Sequence, residues 1–185
     1  MPERVEQRGG NAPFLSICVP QYNRTSFLIA ACRSIAEQQF RDFELCISDD
    51  RSTDGRAGEL IDYLKSSGIS FVWQQQEKNR RYDGNLRGAL ALARGEYCFL
   101  LGNDDALAGP ESLGAMAGAL REQPGTAVAI GNYEDYTTGQ GYRRVPNGPL
   151  GHGVEAAIRL FRHVSFVSGV VLRRAEVEQF ATDAW

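Results

Sequence analysis

The sequence predicts an α/β protein: a mostly parallel, doubly wound sheet with helices on both faces, plus a small hairpin-and-helix region at its C-terminal end. Three observations carry this. From residue 14 to residue 130, short apolar runs alternate with stretches whose apolar residues recur at helical spacing, and such alternation implies parallel strands joined by right-handed crossovers. The runs are continuously apolar, as in strands buried on both faces. Two of them, 43–48 and 97–101, end in paired acids, Asp49-Asp50 and Asp104-Asp105. In open α/β sheets, ligands bind beyond the carboxyl ends of the strands, so both acid pairs are expected at one rim.

Taken in order, residues 14–19 form the first strand, stopped by Pro20, and Gln21-Tyr22-Asn23-Arg24 leads into a helix over 26–39. Leu28, Cys32 and Ile35 give that helix its apolar stripe. After the strand at 43–48, Ser52, Thr53, Asp54 and Gly55 offer a turn and a cap, with Asp54 the best-placed capping residue. A helix over 58–66 turns Leu60, Ile61 and Leu64 inward. A strand over 69–73 precedes the polar, basic loop Glu77-Lys78-Asn79-Arg80-Arg81. The next helix covers 84–93, with Gly95 assigned as its terminator. Beyond the strand at 97–101, Pro110 fits the first position of a helix carrying Leu113, Met116, Ala117 and Leu120. Pro124-Gly125 breaks the chain before a strand over 127–130. Residues 133–142 read as a hairpin with a glycine turn. Val154, Ala157, Ile158 and Phe161 read as a short helix, 164–172 as a strand region bent at Gly169, and the remainder as a short acidic helix.

Bulk properties narrow the function classes. A chain of 185 residues suits one domain with a substantial core. A hydrophobic fraction of 43% and a charged fraction of 23% fit a soluble globular protein. The net charge of -3 argues against a nucleic-acid partner. No apolar run approaches the length of a bilayer span, and the polar residues 1–13 lack a signal core; they are expected to be a disordered leader. Cys18, Cys32, Cys46 and Cys98 show no paired metal spacing, and three of them lie inside apolar runs. They read as buried, reduced thiols of a cytoplasmic protein.

Asp104 and Asp105 are hard oxygen ligands suited to Mg²⁺ or Mn²⁺ at a strand tip. The alternative reading is a polar turn capping the segment before Pro110.

Four stretches, ordered alike, resemble the family 2 glycosyltransferases of the GT-A fold: 16–24 (SICVPQYNR); Ser34-Ile35 with Gln38-Gln39-Phe40 and 42–45; 48–54 (SDDRSTD); and 93–97 (ARGEY) leading to Asn103-Asp104-Asp105. The similarity covers about residues 15–113. It implies a transferase that moves a sugar from a nucleotide-diphosphate donor, UDP- or dTDP-linked, to a hydroxyl of a sugar or lipid-linked acceptor. It further implies an inverting, metal-dependent reaction in surface polysaccharide or glycolipid synthesis, at the cytoplasmic face of the membrane with peripheral membrane association.

By position, the resemblance assigns Pro20, Tyr22 and Arg24 to the base pocket, where a tyrosine face suits stacking. It gives Asp50 the base ring N–H, and Arg81, or Arg80 in its place, the nucleotide phosphates. It places Asn103 and Asp104 in the nucleotide-sugar site, and the divalent cation on Asp104 and Asp105. A fuller family motif carries an acid where this chain has Gly102. The implied domain map is 14–131 for nucleotide-sugar binding and 132–185 for the acceptor-side portion of the same domain, which is expected to continue past Trp185.

The general-base motif expected beyond the 166–172 strand is absent, so the base is expected beyond Trp185. Glu176, Glu178 and Asp183 read instead as a solvated helix face. His152, His163 and Ser168 are candidate sugar or acceptor contacts. Two other classes are weighed: a nucleotide-sugar-binding module without turnover, and a nucleotidyltransferase. The second lacks its glycine-rich loop after the first strand.

Overall fold

The structure, a computed structural model, describes residues 3–142, 148–161 and 166–180. Its pivot is β2 (Leu15–Gln21), buried at every position, as is its neighbour β3 (Phe43–Asp49). β3 and then β4 (Phe71–Gln75) extend the sheet to one side in parallel, while β5 (Tyr97–Leu100) pairs in parallel with the other side of β2. With β1 (Arg4–Gln7), β6 (Val128–Ile130) and β9 (Val170–Arg173), the order is β1-β4-β3-β2-β5-β9-β6. Both β1 and β9 run antiparallel to their partners. A separate hairpin joins β7 (Tyr133–Glu134) to β8 (Gly141–Tyr142).

Side-chain alternation along the strands splits the core in two. Leu15, Ile17 and Val19, with Leu45, Ile47, Phe71, Trp73, Tyr97 and Phe99, meet α1 (Thr25–Ala36), α2 (Ala57–Ser67) and α4 (Ser112–Glu122) on one face. Cys18, Cys46, Val72, Cys98 and Leu100 meet Ala89 of α3 (Arg81–Ala91) on the other. Each such Leu, Ile or Phe contributes about 1.5–3 kcal/mol on burial. The helices therefore cover both faces, as the alternation implied. Because the chain steps outward through β3 and β4 and then returns across β2 to β5, the winding reverses between β2 and β5. That reversal opens a crevice at the carboxyl ends of these two strands.

Several expectations are corrected. Residues 1–13 are not a disordered leader throughout: β1 pairs with β4 from Arg4↔Gln74 to Gln7↔Phe71. An edge strand needs only backbone partners, so its polar composition concealed it. Pro20 does not stop β2. The Cys18 carbonyl turns toward β5, where Leu101 N–H donates to it, and the Gln21 carbonyl turns toward β3 and Asp50 N–H. Alternation puts the Pro20 nitrogen on the β5 side, where pairing has ended at Cys18↔Leu100, so its missing N–H is not needed.

Gly95 does not terminate α3, which is capped at Leu92. It allows close approach instead: a Cβ there would lie 2.8 Å from the Ser16 backbone nitrogen. Pro110 precedes α4 by two residues, and its carbonyl accepts from Gln39 N–H. Asp54 caps a different helix from the one expected, because its Oδ2 accepts Thr25 N–H at the start of α1.

Strand β6 does not follow β5 in the sheet, since β9 lies between them. The strand region expected over 164–172 is confined to β9, with Gly169 at φ 80° just before it; 164 and 165 lie outside the described residues. The short C-terminal helices are α5 (Gly153–Leu160) and α6 (Arg174–Phe180), and Val154 and Ile158 on α5, with Phe161 at its C-cap, are exposed. No described helix is long and apolar enough to cross a membrane.

Candidate active site at the β2–β5 crevice

A cavity of about 650 Å³ opens at the reversal point. Pro20, Tyr22, Arg24, Asp50, Arg81, Asn103, Asp104 and Asp105 all line it, so residues 85 positions apart in the chain share one hollow. Asn79, Tyr82, Asn85, Gly102, Phe166, Val167 and Ser168 complete the wall. His152, Glu176 and Glu178 do not line it; His163 and Asp183 lie outside the described residues.

Gln21 ties the wall together. Its side chain is fully buried at the end of β2. Nε2 donates to the Asn23 carbonyl at 2.6 Å and to Thr25 Oγ1 at 3.1 Å, while Oε1 accepts from Asn103 Nδ2 at 2.7 Å. Its backbone carbonyl accepts Asp50 N–H and Asn85 Nδ2. One residue thus joins the loops after β2, β3 and β5 to α3.

Cross-loop bonds do the same on the outer side: Asn23 N–H donates to Ser52 Oγ, and Thr53 N–H donates to Asn23 Oδ1. These bonds hold a strained backbone. Asn23, Arg24, Arg51 and Arg81, all beside the crevice or on its loops, have φ between 53° and 64°. Non-glycine residues adopt this region only when their surroundings fix them there.

The first acid pair divides its roles. Asp49 stays in the ladder opposite Gln75 and accepts Ser52 N–H at 2.7 Å. Burial pushes its carboxyl above the ordinary range, against those hydrogen bonds. Asp50 turns to the cavity. It is 2% exposed, and its Oδ1 accepts Arg80 N–H at 2.5 Å. Arg81 opens α3, its own N–H donating to Asn79 Oδ1. Asn85 is 3% exposed, and its Oδ1 has no hydrogen-bond partner.

The second pair is held from two sides. Arg24 Nη1 meets Asp104 Oδ2 at 2.5 Å, and Ser168 Oγ donates to Asp105 Oδ2 at 2.5 Å. Ser168 Oγ also accepts Gly102 N–H at 2.7 Å. Gly102 explains this arrangement, because a Cβ there would sit 2.5 Å from Asp105 Oδ2. The chain carries Asp105's carboxylate where a larger residue at 102 would place its own side chain.

As a donor set, two adjacent carboxylates at a loop tip fit a hard divalent cation that keeps water and ligand oxygens. Among the described residues, no group of three or more His, Cys, Asp or Glu side chains is arranged to hold an ion. The protein's share would be Asp104 and Asp105, with phosphate oxygens supplying the rest.

Sequence reasoning missed Gln21, Asn79, Tyr82 and Asn85. Gln21 carried the clearest signal, a long polar side chain directly after an apolar strand. The contacts of Asn79 and Asn85 span 29 and 64 positions, which no local pattern reports.

A doubly wound sheet with paired acids at its reversal point is the architecture of nucleotide-sugar transferases of the GT-A type. The chain belongs to the glycosyl transferase family 2, whose model matches residues 16–174. It is similar to the abequosyltransferase RfbV of Salmonella typhimurium, at 39% identity over 97 residues, 51% of this chain and 29% of that protein. It is also similar to a GalNAc(5)-diNAcBac-PP-undecaprenol β-1,3-glucosyltransferase of Campylobacter jejuni, at 34% identity over 95 residues, covering 51% and 31%. The chain thus spans less than a third of each of these relatives. In three dimensions it resembles S. aureus TarS in complex with UDP-GlcNAc, with a TM-score of 0.69 and 22% identity, covering 89% of this chain and 46% of that one. At that identity, the likeness speaks for the fold alone.

Proposed function

We propose that this chain is the donor-binding part of a glycosyltransferase that uses a nucleotide-diphosphate sugar, UDP- or dTDP-linked, and inverts the anomeric centre. The observation that carries the reading is the meeting of Asp50, Arg81 and Asp104-Asp105 in one cavity at the reversal point of the sheet. In this reading Tyr22 and Pro20 face the base, and the Asp50 carboxylate accepts its ring N–H. The fork of Arg81 donates to the diphosphate, as guanidinium groups suit phosphate oxygens.

A Mn²⁺ or Mg²⁺ ion on Asp104 and Asp105 would offset the charge that develops on the leaving diphosphate. The acceptor hydroxyl attacks the anomeric carbon, the bond to the diphosphate oxygen breaks with its electron pair, and a carboxylate base takes the hydroxyl proton. That base is assigned outside the described residues. The acceptor is a sugar or lipid-linked hydroxyl of surface polysaccharide or glycolipid synthesis, reached at the inner face of the membrane. The name of the Campylobacter relative, with its undecaprenol diphosphate acceptor, supports a lipid-linked acceptor.

Calorimetry with UDP and Mn²⁺ tests the reading. Saturable binding below millimolar concentration, lost when Asp104 and Asp105 are both replaced by Asn, is expected. Heat that is indifferent to those substitutions would sink it.

A further inference from the structure

Arg24 does not act as a simple wall of the base pocket: its guanidinium sits on Asp104, one of the two carboxylates offered to a cation. The pair bridges the crevice, joining the loop after β2 to the loop after β5. Both ends are anchored. The Arg24 carbonyl accepts Phe27 N–H and Leu28 N–H at the first turn of α1, and the backbone at Arg24 is fixed at φ 55°. Asn103, next to Asp104, is held by Gln21 and by the Asn23 carbonyl.

The side chains themselves are solvent-exposed, at 62% and 43%. An ion pair this exposed is weak and screened. Asp105 differs, for its carboxylate is fastened to Ser168. Of the two acids, one is bonded to a buried serine and one to an exposed arginine.

A guanidinium and a divalent cation compete for one carboxylate oxygen, since each repels the other. A diphosphate entering beside Asp104 brings new acceptor oxygens within reach of the displaced guanidinium. We infer that Arg24 is an exchangeable counter-ion: it neutralises Asp104 in the nucleotide-free protein, then passes to a diphosphate oxygen as a divalent cation takes its place on Asp104. This deepens the donor-site reading above and rests on it. Arg24 is here a binding and positioning residue.

The exchange predicts effects of opposite sign from one substitution. In Arg24→Gln, Mn²⁺ affinity without nucleotide, read by calorimetry and by electron paramagnetic resonance of free Mn²⁺, should tighten about threefold, the scale of an exposed ion pair. UDP affinity at saturating Mn²⁺ should weaken about tenfold, the scale of a lost charge-assisted hydrogen bond. Arg24→Lys keeps the charge without the fork and covers the case of a Gln variant that does not fold. It should lose UDP affinity while holding Mn²⁺ at least as well as the parent. If the parent binds both ligands but either variant that melts like the parent loses Mn²⁺ and UDP together, or shifts neither, the exchange is wrong and the donor site stands. If the parent binds neither ligand, both readings fall.

Discussion

At Gln21, a single buried side-chain amide uses both donor and acceptor to tie the loop after β2 and the start of α1 to the loop after β5. Replacing it with Leu keeps the volume roughly but leaves the Asn103 amide and the Thr25 hydroxyl without that partner. Buried groups left unmatched cost about 1–3 kcal/mol each. Asn103 keeps the Asn23 carbonyl, so about 1 kcal/mol for each group is the fitting end of that range, and Gln21→Leu should lower the melting temperature by about 4–8 °C, at 2–4 °C per kcal/mol for a chain of this size. It should also weaken UDP binding, because Asn103 no longer positions Asp104. A melting curve unchanged from the parent would show that this network contributes nothing net. Asp50 offers the contrasting case. Asp50→Asn preserves the acceptor that meets Arg80 N–H, so stability should stay within about 1 kcal/mol of the parent. On the proposed reading, in which Asp50 accepts the base N–H, UDP affinity should nonetheless fall about tenfold, because an amide accepts less well than a carboxylate. Calorimetry beside thermal melting separates the two outcomes.

Among the elements, α1 shows how a helix end can depend on a distant loop. Its N-cap, Arg24, supplies no side-chain bond, and Asp54 from the loop after β3 accepts Thr25 N–H instead. Burial pushes the Asp54 carboxyl up, but the hydrogen bonds from Thr25 and Arg56 prevail and hold it below its ordinary 3.8. A lowered folded-state value means that the stabilisation is complete above the ordinary carboxylate range and is lost as the pH falls through the folded value. Asp54→Ala should cost about 0.5–1 kcal/mol near neutrality, the low side of a cap because the group is exposed. The difference from the parent should vanish in urea melts near pH 2.

The edge strand β1 is held in another way. Beyond it, Arg8 donates to the Leu92 carbonyl at 2.9 Å and lies 3.5 Å from the fully buried Glu44, which also accepts Ser16 Oγ and the Arg94 backbone and guanidinium. These two elements mark where sequence reasoning stops. Asp54 was legible as a capping residue, but its helix was not, since the bond crosses 29 positions. Strand β1 was illegible because three of its four residues are polar and exposed and only Val5 packs against the core, so its pairing rests mainly on the backbone. The reach of β2 through Pro20 depended on where β5 ends, a fact of the partner strand.

For the whole molecule, the legible part was the winding. Continuous apolar runs and helical stripes were enough to set β2 through β5 in parallel with helices on both faces, and hence to bring Asp50 and Asp104-Asp105 to one rim. The illegible part was the far side. The insertion of β9 between β5 and β6 places Ser168 against Asp105, and it depends on a long return of the chain rather than on any local period. Because the cavity wall is drawn from β2, β3, α3, the loop after β5 and the approach to β9, it exists only when the whole sheet is assembled. A ligand of that cavity binds the folded state and not the unfolded chain. At one hundred times its dissociation constant, such a ligand adds about 2.7 kcal/mol to the unfolding free energy. UDP with Mn²⁺ should therefore raise the melting temperature by about 5–10 °C. On the proposed reading, in which a cation on Asp104 and Asp105 carries the diphosphate, UDP in excess chelator should give a much smaller rise than the pair. Equal shifts with and without Mn²⁺ would mean that the nucleotide is held by Asp50 and the arginines alone, and that the two acids serve the fold rather than a cation.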